Sequence, residues 1–137
     1  MTIRFFIAMV PPTVTSQQKG IAGGRVYTKP EVRDAKEAIK SRLAMFRPET
    51  PLQGPLSLLT KWVFPWRKSD SQKARADGLA LHSERPDCDT IVKLLADCMT
   101  DLGFWKDDGQ VSVLRVEKFR GDVTGIFVQV DELEARL

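Results

Sequence analysis

Histidine and cysteine are scarce in this chain, with one His and two Cys among 137 residues. A zinc centre draws three or four such ligands from short, regular spacings, so neither structural nor catalytic zinc is expected. Cys88 and Cys98 stand ten residues apart on one expected helix and its first turn, a separation that does not bridge. Free thiols suit a reducing compartment. Long apolar runs are missing as well. Ile3–Val10 is too short to span a bilayer. Arg4 ahead of Phe5-Phe6, with no small-residue cleavage pattern, does not make a secretion signal. An intracellular protein without membrane contact is expected. Nor does one sign of charge dominate: 21 Lys and Arg against 18 Asp and Glu leave +3. That mild surplus is compatible with nucleic acid and does not demand it.

What remains is ordinary globular material, 42% hydrophobic and 8% aromatic, of a length that fits one domain. Ile3–Val10 reads as a strand closed by Pro11-Pro12. The polar stretch Thr13–Gly24 reads as a loop, followed by a short extension over Arg25–Lys29. A helix then starts near Thr28–Pro30, with Val32, Ala35, Ile39, Leu43 and Phe46 on one face and Pro48 as its stop. Leu56–Phe64 is a strand ended by Pro65, and Arg67–Gly78 is charged and poor in apolar residues. After a brief strand at Leu79–His82, a second helix is expected over about Thr90–Leu102. Asp89 would be its N-cap, Ile91, Leu94, Leu95, Cys98 and Leu102 its apolar face, and Gly103 its stop. Lys93 and Asp97 lie on the other side. Strands Val111–Phe119 and Thr124–Val130 flank the turn Arg120-Gly121-Asp122. Strands before, between and after two helices give an α+β (mixed α/β) fold: a single domain, 1–137, with one mixed sheet.

Carboxylates concentrate in two short motifs, Pro86-Asp87-Cys88-Asp89 and Lys106-Asp107-Asp108-Gly109, with Lys93 between them. Carboxylates are hard ligands, and a few of them can hold Mg²⁺ while water and phosphate fill its other positions. A nearby ammonium suits an anionic transition state. Each piece also has a plain structural explanation. One Asp of the pair can be an N-cap and the other a solvated loop residue, Asp-Gly is a common turn, and a lysine on the polar face of a helix is usually just solvated. An EF-hand is excluded, because Ile91 and Val92 occupy the fifth and sixth loop places. A D-x-D-x-T phosphatase motif is excluded by Ile91 at its fifth place and by the polar run before Asp87. His82 could be a satisfied polar residue, a supporting group or a phosphate contact. Trp62, Trp66 and Trp105 suit a core, with Trp66 the one placed to stack on a base.

Taken together, the motifs closely resemble the RusA family of Holliday-junction resolvases, many of them from phage or prophage. The resemblance lies in Pro86-Asp87-Cys88-Asp89, Lys93, Asp97, Trp105-Lys106-Asp107-Asp108-Gly109-Gln110-Val111 and Val116-Glu117-Lys118, with Asp89 and Asp108 19 residues apart. The proline after the first strand, the Tyr27–Pro30 helix start and Phe64-Pro65 extend it over most of the chain. It departs at Thr90, where the family usually has Asn. The resemblance implies a cytoplasmic, nucleoid-associated homodimer that nicks four-way branched DNA symmetrically. It implies Mg²⁺ as cofactor, with Mn²⁺ as a substitute. Asp87, Asp89 and Asp108 would converge as metal ligands, with Lys93 as the fourth catalytic residue. Lys19, Arg25, Lys68, Lys73, Arg75, Arg85 and Lys118 would follow the DNA backbone. The rival readings are a non-catalytic DNA-binding protein of the same fold, and a metal-dependent nuclease or phosphatase with another substrate.

Overall fold

The computed structural model describes residues 1–13 and 19–134. In chain order the elements are β1 (Thr2–Ala8), β2 (Lys19–Ala22), β3 (Arg25–Thr28), α1 (Pro30–Leu43), β4 (Leu56–Phe64), β5 (Leu79–Leu81), α2 (Cys88–Asp101), β6 (Val111–Gly121) and β7 (Gly125–Glu132). Five strands form one sheet in the order β1-β7-β4-β6-β5, and β2 and β3 form a separate hairpin. β4 and β6 run parallel, and the other neighbours in the sheet are antiparallel. This is the expected α+β architecture with a mixed sheet and two main helices.

Period-2 alternation gives β4 one buried face, and α1 and α2 cover it. Leu56, Leu58, Thr60, Trp62 and Phe64 point to that side and are buried. Beside them lie Ile126, Val128 and Val130 of β7 and Phe5 and Ile7 of β1. Above sit Val32, Ala35, Ile39 and Leu43 of α1, at the spacing of one helical face. α2 supplies Ile91, Leu94, Leu95 and Cys98, and also Val92 and Met99. Two polar groups taken into this layer satisfy each other, since the Trp62 indole N–H donates to Thr60 Oγ1 at 2.9 Å, and the buried Trp105 indole N–H donates to Thr100 Oγ1. Burial pushes the Cys98 thiol up to about 12, so it packs as an apolar group. The helices are also tied by Lys40–Asp101 at 2.8 Å and Lys36–Asp97 at 3.7 Å.

Several expectations are corrected. The stretch expected as a loop as far as Gly24 contains β2, which pairs with β3 through Gly23 and Gly24 at φ 58° and 77°. Two glycines in the left-handed region make the tight turn a hairpin needs. Residues 14–18 of that expected loop lie outside the described residues. Phe46 falls in a 3₁₀ turn, Ala44–Phe46, beyond α1. The N-cap of α2 is Asp87, so the helix starts earlier than expected and Asp89 sits inside its first turn.

Arg67–Gly78 forms no helix or strand and is a run of turns pinned by its own arginines. Arg67 pairs with Asp70 at 2.9 Å and with Glu84. Arg75 donates to the carbonyls of Asp70 and Arg67 at 3.2 and 2.6 Å and lies over the Trp66 ring. The Trp66 indole N–H donates to Asp122 Oδ1 at 2.7 Å, so both its edge and its face are engaged within the protein.

His82 is buried at 7% exposure, edge-on to Phe64, and its Nδ1 accepts from the Glu84 N–H at 3.1 Å. Burial, then Arg120, Lys118 and Arg67 around it, hold its pKa down to about 4. A base whose pKa is lower folded than unfolded binds more protons when unfolded, so stability rises with pH between the two values. Its contribution is whole above about pH 6.5 and is lost as pH falls towards about 4. Urea unfolding at pH 7 and pH 4.5 should therefore show a loss of about 2 kcal/mol from this group. That part of the pH dependence should vanish in His82→Gln.

Candidate active site

The acidic pair opens α2. Asp87 is extended, with φ −74° and ψ 147°, as an N-cap residue must be, yet its side chain makes no capping bond. The first turn is closed instead by Thr90, whose hydroxyl donates to the Asp87 carbonyl at 2.9 Å, and by Ile91 N–H on the same oxygen at 3.1 Å. Thr90, standing where the resemblance expects Asn, thus fixes the Asp87 backbone and leaves its carboxylate free. Asp89 in the first turn carries a charge that the helix N-terminus favours. Four residues on, Lys93 shares its face. Asp87, Asp89 and Lys93 are exposed, and none of them forms a side-chain hydrogen bond or ion pair with another described residue.

Asp108 comes from the other side. Leu52 N–H donates to the Phe104 carbonyl at 2.8 Å, and the Trp105 indole donates to Thr100 Oγ1 at 2.7 Å, which fixes the chain after α2. The next turn is a 3₁₀ helix, Asp108–Gln110, capped in both directions. Asp107 Oδ1 accepts from Gly109 N–H at 2.8 Å. Gln110 Oε1 accepts from the N–H groups of Lys106 and Asp107 at 3.0 and 3.1 Å, while its amide donates to the carbonyls of Leu52 and Gly54. Asp107 is therefore occupied, and Asp108 is exposed without a protein partner among the described residues. The sequence carried this signal, an acceptor followed three residues later by Gln, which is a capping pattern.

Lys93 and Asp108 line one cleft of about 220 Å³, floored by Leu58, Val92, Ala96, Val111 and Leu114. The structure thus brings the lysine of α2 and the acid before β6 to one place. The expected convergence of Asp87, Asp89 and Asp108 is not seen: among the described residues no three His, Cys, Asp or Glu side chains are grouped so that they could hold a metal ion, and Asp108 lines the cleft without Asp87 or Asp89. The donor set nevertheless fits a hard cation. Asp87, Asp89 and Asp108 offer carboxylate oxygens with no competing protein bonds, and Mg²⁺ ordinarily takes one or two carboxylates and fills the rest with water and phosphate.

The seven expected backbone-contact residues divide. Lys68, Lys73 and Arg85 are exposed and unpaired among the described residues. Lys19 and Arg25 stand on the β2–β3 hairpin, and their side chains lie outside the described ones. Arg75 and Lys118 differ from Lys68, Lys73 and Arg85 in being partly engaged inside the fold. Arg75 braces the Arg67–Asp70 turn. Lys118 Nζ donates to the carbonyls of Glu84 and Pro86. Reading the sequence alone also missed Glu84, Arg67 and Arg120. Glu84 pairs with Arg67 and lies 4.0 Å from Arg120, while Arg120 donates to the Pro65 carbonyl at 3.0 Å. No local spacing signals contacts of that kind. Among the described residues, no helix is long and apolar enough to cross a membrane.

Comparison with known proteins agrees with the motif. The chain is similar to "Uncharacterized protein YqaN" of Bacillus subtilis (strain 168), with 30% identity over 140 residues covering 97% of this chain and 98% of that protein. The family model described as "Endodeoxyribonuclease RusA" matches residues 9–131, which include both β4 and β6, all of α2 and every acid of the site. The chain belongs to the RusA endodeoxyribonuclease family.

Proposed function

We propose that this protein is a divalent-metal-dependent endonuclease that resolves four-way DNA junctions by paired nicks. The single observation that carries the reading is the availability of Asp87, Asp89, Lys93 and Asp108. The neighbouring polar side chains Asp107, Gln110 and Thr90 are bonded into the fold, while these four face solvent without partners. Asp87 and Asp89, at the start of α2, and Asp108, beside the cleft, are the residues that would hold the cation. A bound Mg²⁺ or Mn²⁺ supplies Lewis-acid polarisation of the phosphate and lowers the pKa of an attacking water. Lys93 donates to a phosphate oxygen as charge builds up on it, an interaction stronger in the transition state than in the ground state. The apolar floor of Leu58, Val111 and Leu114 limits water behind the phosphate and so strengthens that contact.

Lys68, Lys73 and Arg85, with Lys19 and Arg25 on the hairpin, are the proposed phosphate contacts. They orient the DNA and read no sequence. A homodimer with a two-fold axis would offer two equal sites to a junction of approximate two-fold symmetry, so that opposite strands are cut alike.

Three outcomes follow. Lys93→Ala should fold normally and bind junctions as the wild type does, yet cleave ~100-fold or more slowly. Single-turnover cleavage beside a thermal melt decides this, and wild-type cleavage would make Lys93 a solvated surface residue. Asp89→Asn should lose Mg²⁺-dependent cleavage while keeping or tightening metal-free affinity, since it removes a ligand and a negative charge facing phosphate. A folded variant that no longer binds DNA would instead assign Asp89 to holding the loop. Metal-free competition between a four-way junction and a matched linear duplex should favour the junction, with affinity falling steeply with added salt. Equal affinity for both would leave a general nuclease or a plain DNA-binding protein.

A further inference from the structure

The segment His82–Cys88 delivers Asp87 to the site, yet up to Asp87 it belongs to neither helix nor strand. It is fastened from outside, mostly by β6. His82 N–H donates to the Lys118 carbonyl at 3.0 Å, and Cys88 Sγ lies 3.8 Å from the Val116 carbonyl. The Glu84 carboxylate is held by Arg67 and faces Arg120. Between these points the backbone is held by two side chains, His82, whose Nδ1 accepts from the Glu84 N–H at 3.1 Å, and Lys118. Lys118 Nζ donates to the Glu84 carbonyl and, at 2.8 Å, to the Pro86 carbonyl, the last one before Asp87. An ammonium has three donors, so at most one is left for anything else. Lys118 is also only partly exposed, and its charge is directed into the protein.

Two consequences follow from that geometry. Such a lysine is poorly disposed to neutralise a DNA phosphate. It grips the carbonyl immediately before the backbone position from which the Asp87 side chain springs. Displacement of a catalytic group by about 1 Å can cost on the order of 100-fold in rate. We propose that Lys118 is a positioning residue of the nuclease site: it fixes Asp87 through the backbone of Glu84 and Pro86 and makes no contact with DNA. The inference rests on the reading of Asp87 as a cation ligand.

The test uses the full chain as wild type, Lys118→Met and Lys118→Gln, the last keeping an amide able to donate to a carbonyl. Three quantities are measured: amide hydrogen exchange over residues 83–88, the salt dependence of metal-free junction binding, and the Mg²⁺ concentration giving half-maximal cleavage. Lys118→Met should exchange faster over 83–88 and need roughly tenfold more Mg²⁺, with an unchanged salt slope. Lys118→Gln should fall between it and the wild type, and it carries the comparison by itself where the Met variant does not fold. A salt slope lowered by about one, with exchange and Mg²⁺ requirement unchanged, would make Lys118 a phosphate contact and overturn the proposal. Unchanged exchange alone would overturn it too. Asp87→Asn is run beside them. If it cleaves with the wild-type Mg²⁺ requirement, the metal reading of Asp87 fails, while hydrogen exchange still decides whether Lys118 holds the segment.

Discussion

The parallel pairing of β4 with β6 is the constraint on which the rest of the structure depends. Parallel neighbours cannot be joined by a hairpin, so a long crossover connection must link β4 to β6, and here it adds β5 to the sheet edge before crossing one face. That excursion contains β5, the 82–88 segment and α2, and therefore Asp87, Asp89 and Lys93. Register then fixes the cleft. Leu56 lies beside Val111 and Leu58 beside Leu114, which puts the start of β6, and Asp108 just ahead of it, beneath the Lys93 face of α2. Further along the same strand, Trp62 pairs with Lys118 and Phe64 with Arg120, so the two cations that brace the incoming segment are set by the same register. A slip of one residue would turn Lys118 to the opposite face of the sheet and lose the grip on Pro86.

Charge is sorted by the same architecture. Arg67, Arg75, Arg120 and Lys118 are tied to backbone carbonyls and to Asp70 or Glu84, around a buried and uncharged His82. These contacts fasten a stretch that has little apolar side chain to bury. The charges of the candidate site are treated in the opposite way. Asp87, Asp89, Lys93 and Asp108 stay solvated, which costs little folding free energy and leaves each free to take a cation or a phosphate. Mutual repulsion between Asp87 and Asp89 is eased by water and by the helix N-terminus at which both sit.

Much of this was legible in the sequence, because it is written in local periodicity. Val32, Ala35, Ile39 and Leu43 mark α1, the alternation through Leu58, Trp62 and Phe64 marks β4, and the spaced motifs around Asp87 and Asp108 mark the family. What was not legible depends on partners distant in sequence. Lys118 and Arg75 read as free basic residues because their acceptors are backbone carbonyls that only the tertiary fold brings near. The β2–β3 hairpin is masked by a polar composition, and Gly23-Gly24 is its local turn signal. Propensity alone puts the N-cap at Asp89, and Thr90 bonding back to the Asp87 carbonyl shifts the helix start by two residues.

Asp107 and Asp108 show how backbone accounting assigns chemistry where residue type cannot. The two are adjacent, identical and exposed, and either could be drawn as a ligand. A 3₁₀ turn, however, leaves N–H groups without partners at its start, and the residue at its N-cap is the one placed to accept them. Asp107 holds that place and gives an oxygen to Gly109 N–H, while Gln110 closes the box from the other end and anchors the turn to Leu52 and Gly54. A carboxylate already accepting a backbone bond is oriented by it and less available to a cation. Asp108, one residue into the turn, has no N–H to satisfy, so its oxygens remain directed at the cleft it shares with Lys93. The difference in availability between these neighbouring acids is thus set by hydrogen-bond demand in the turn.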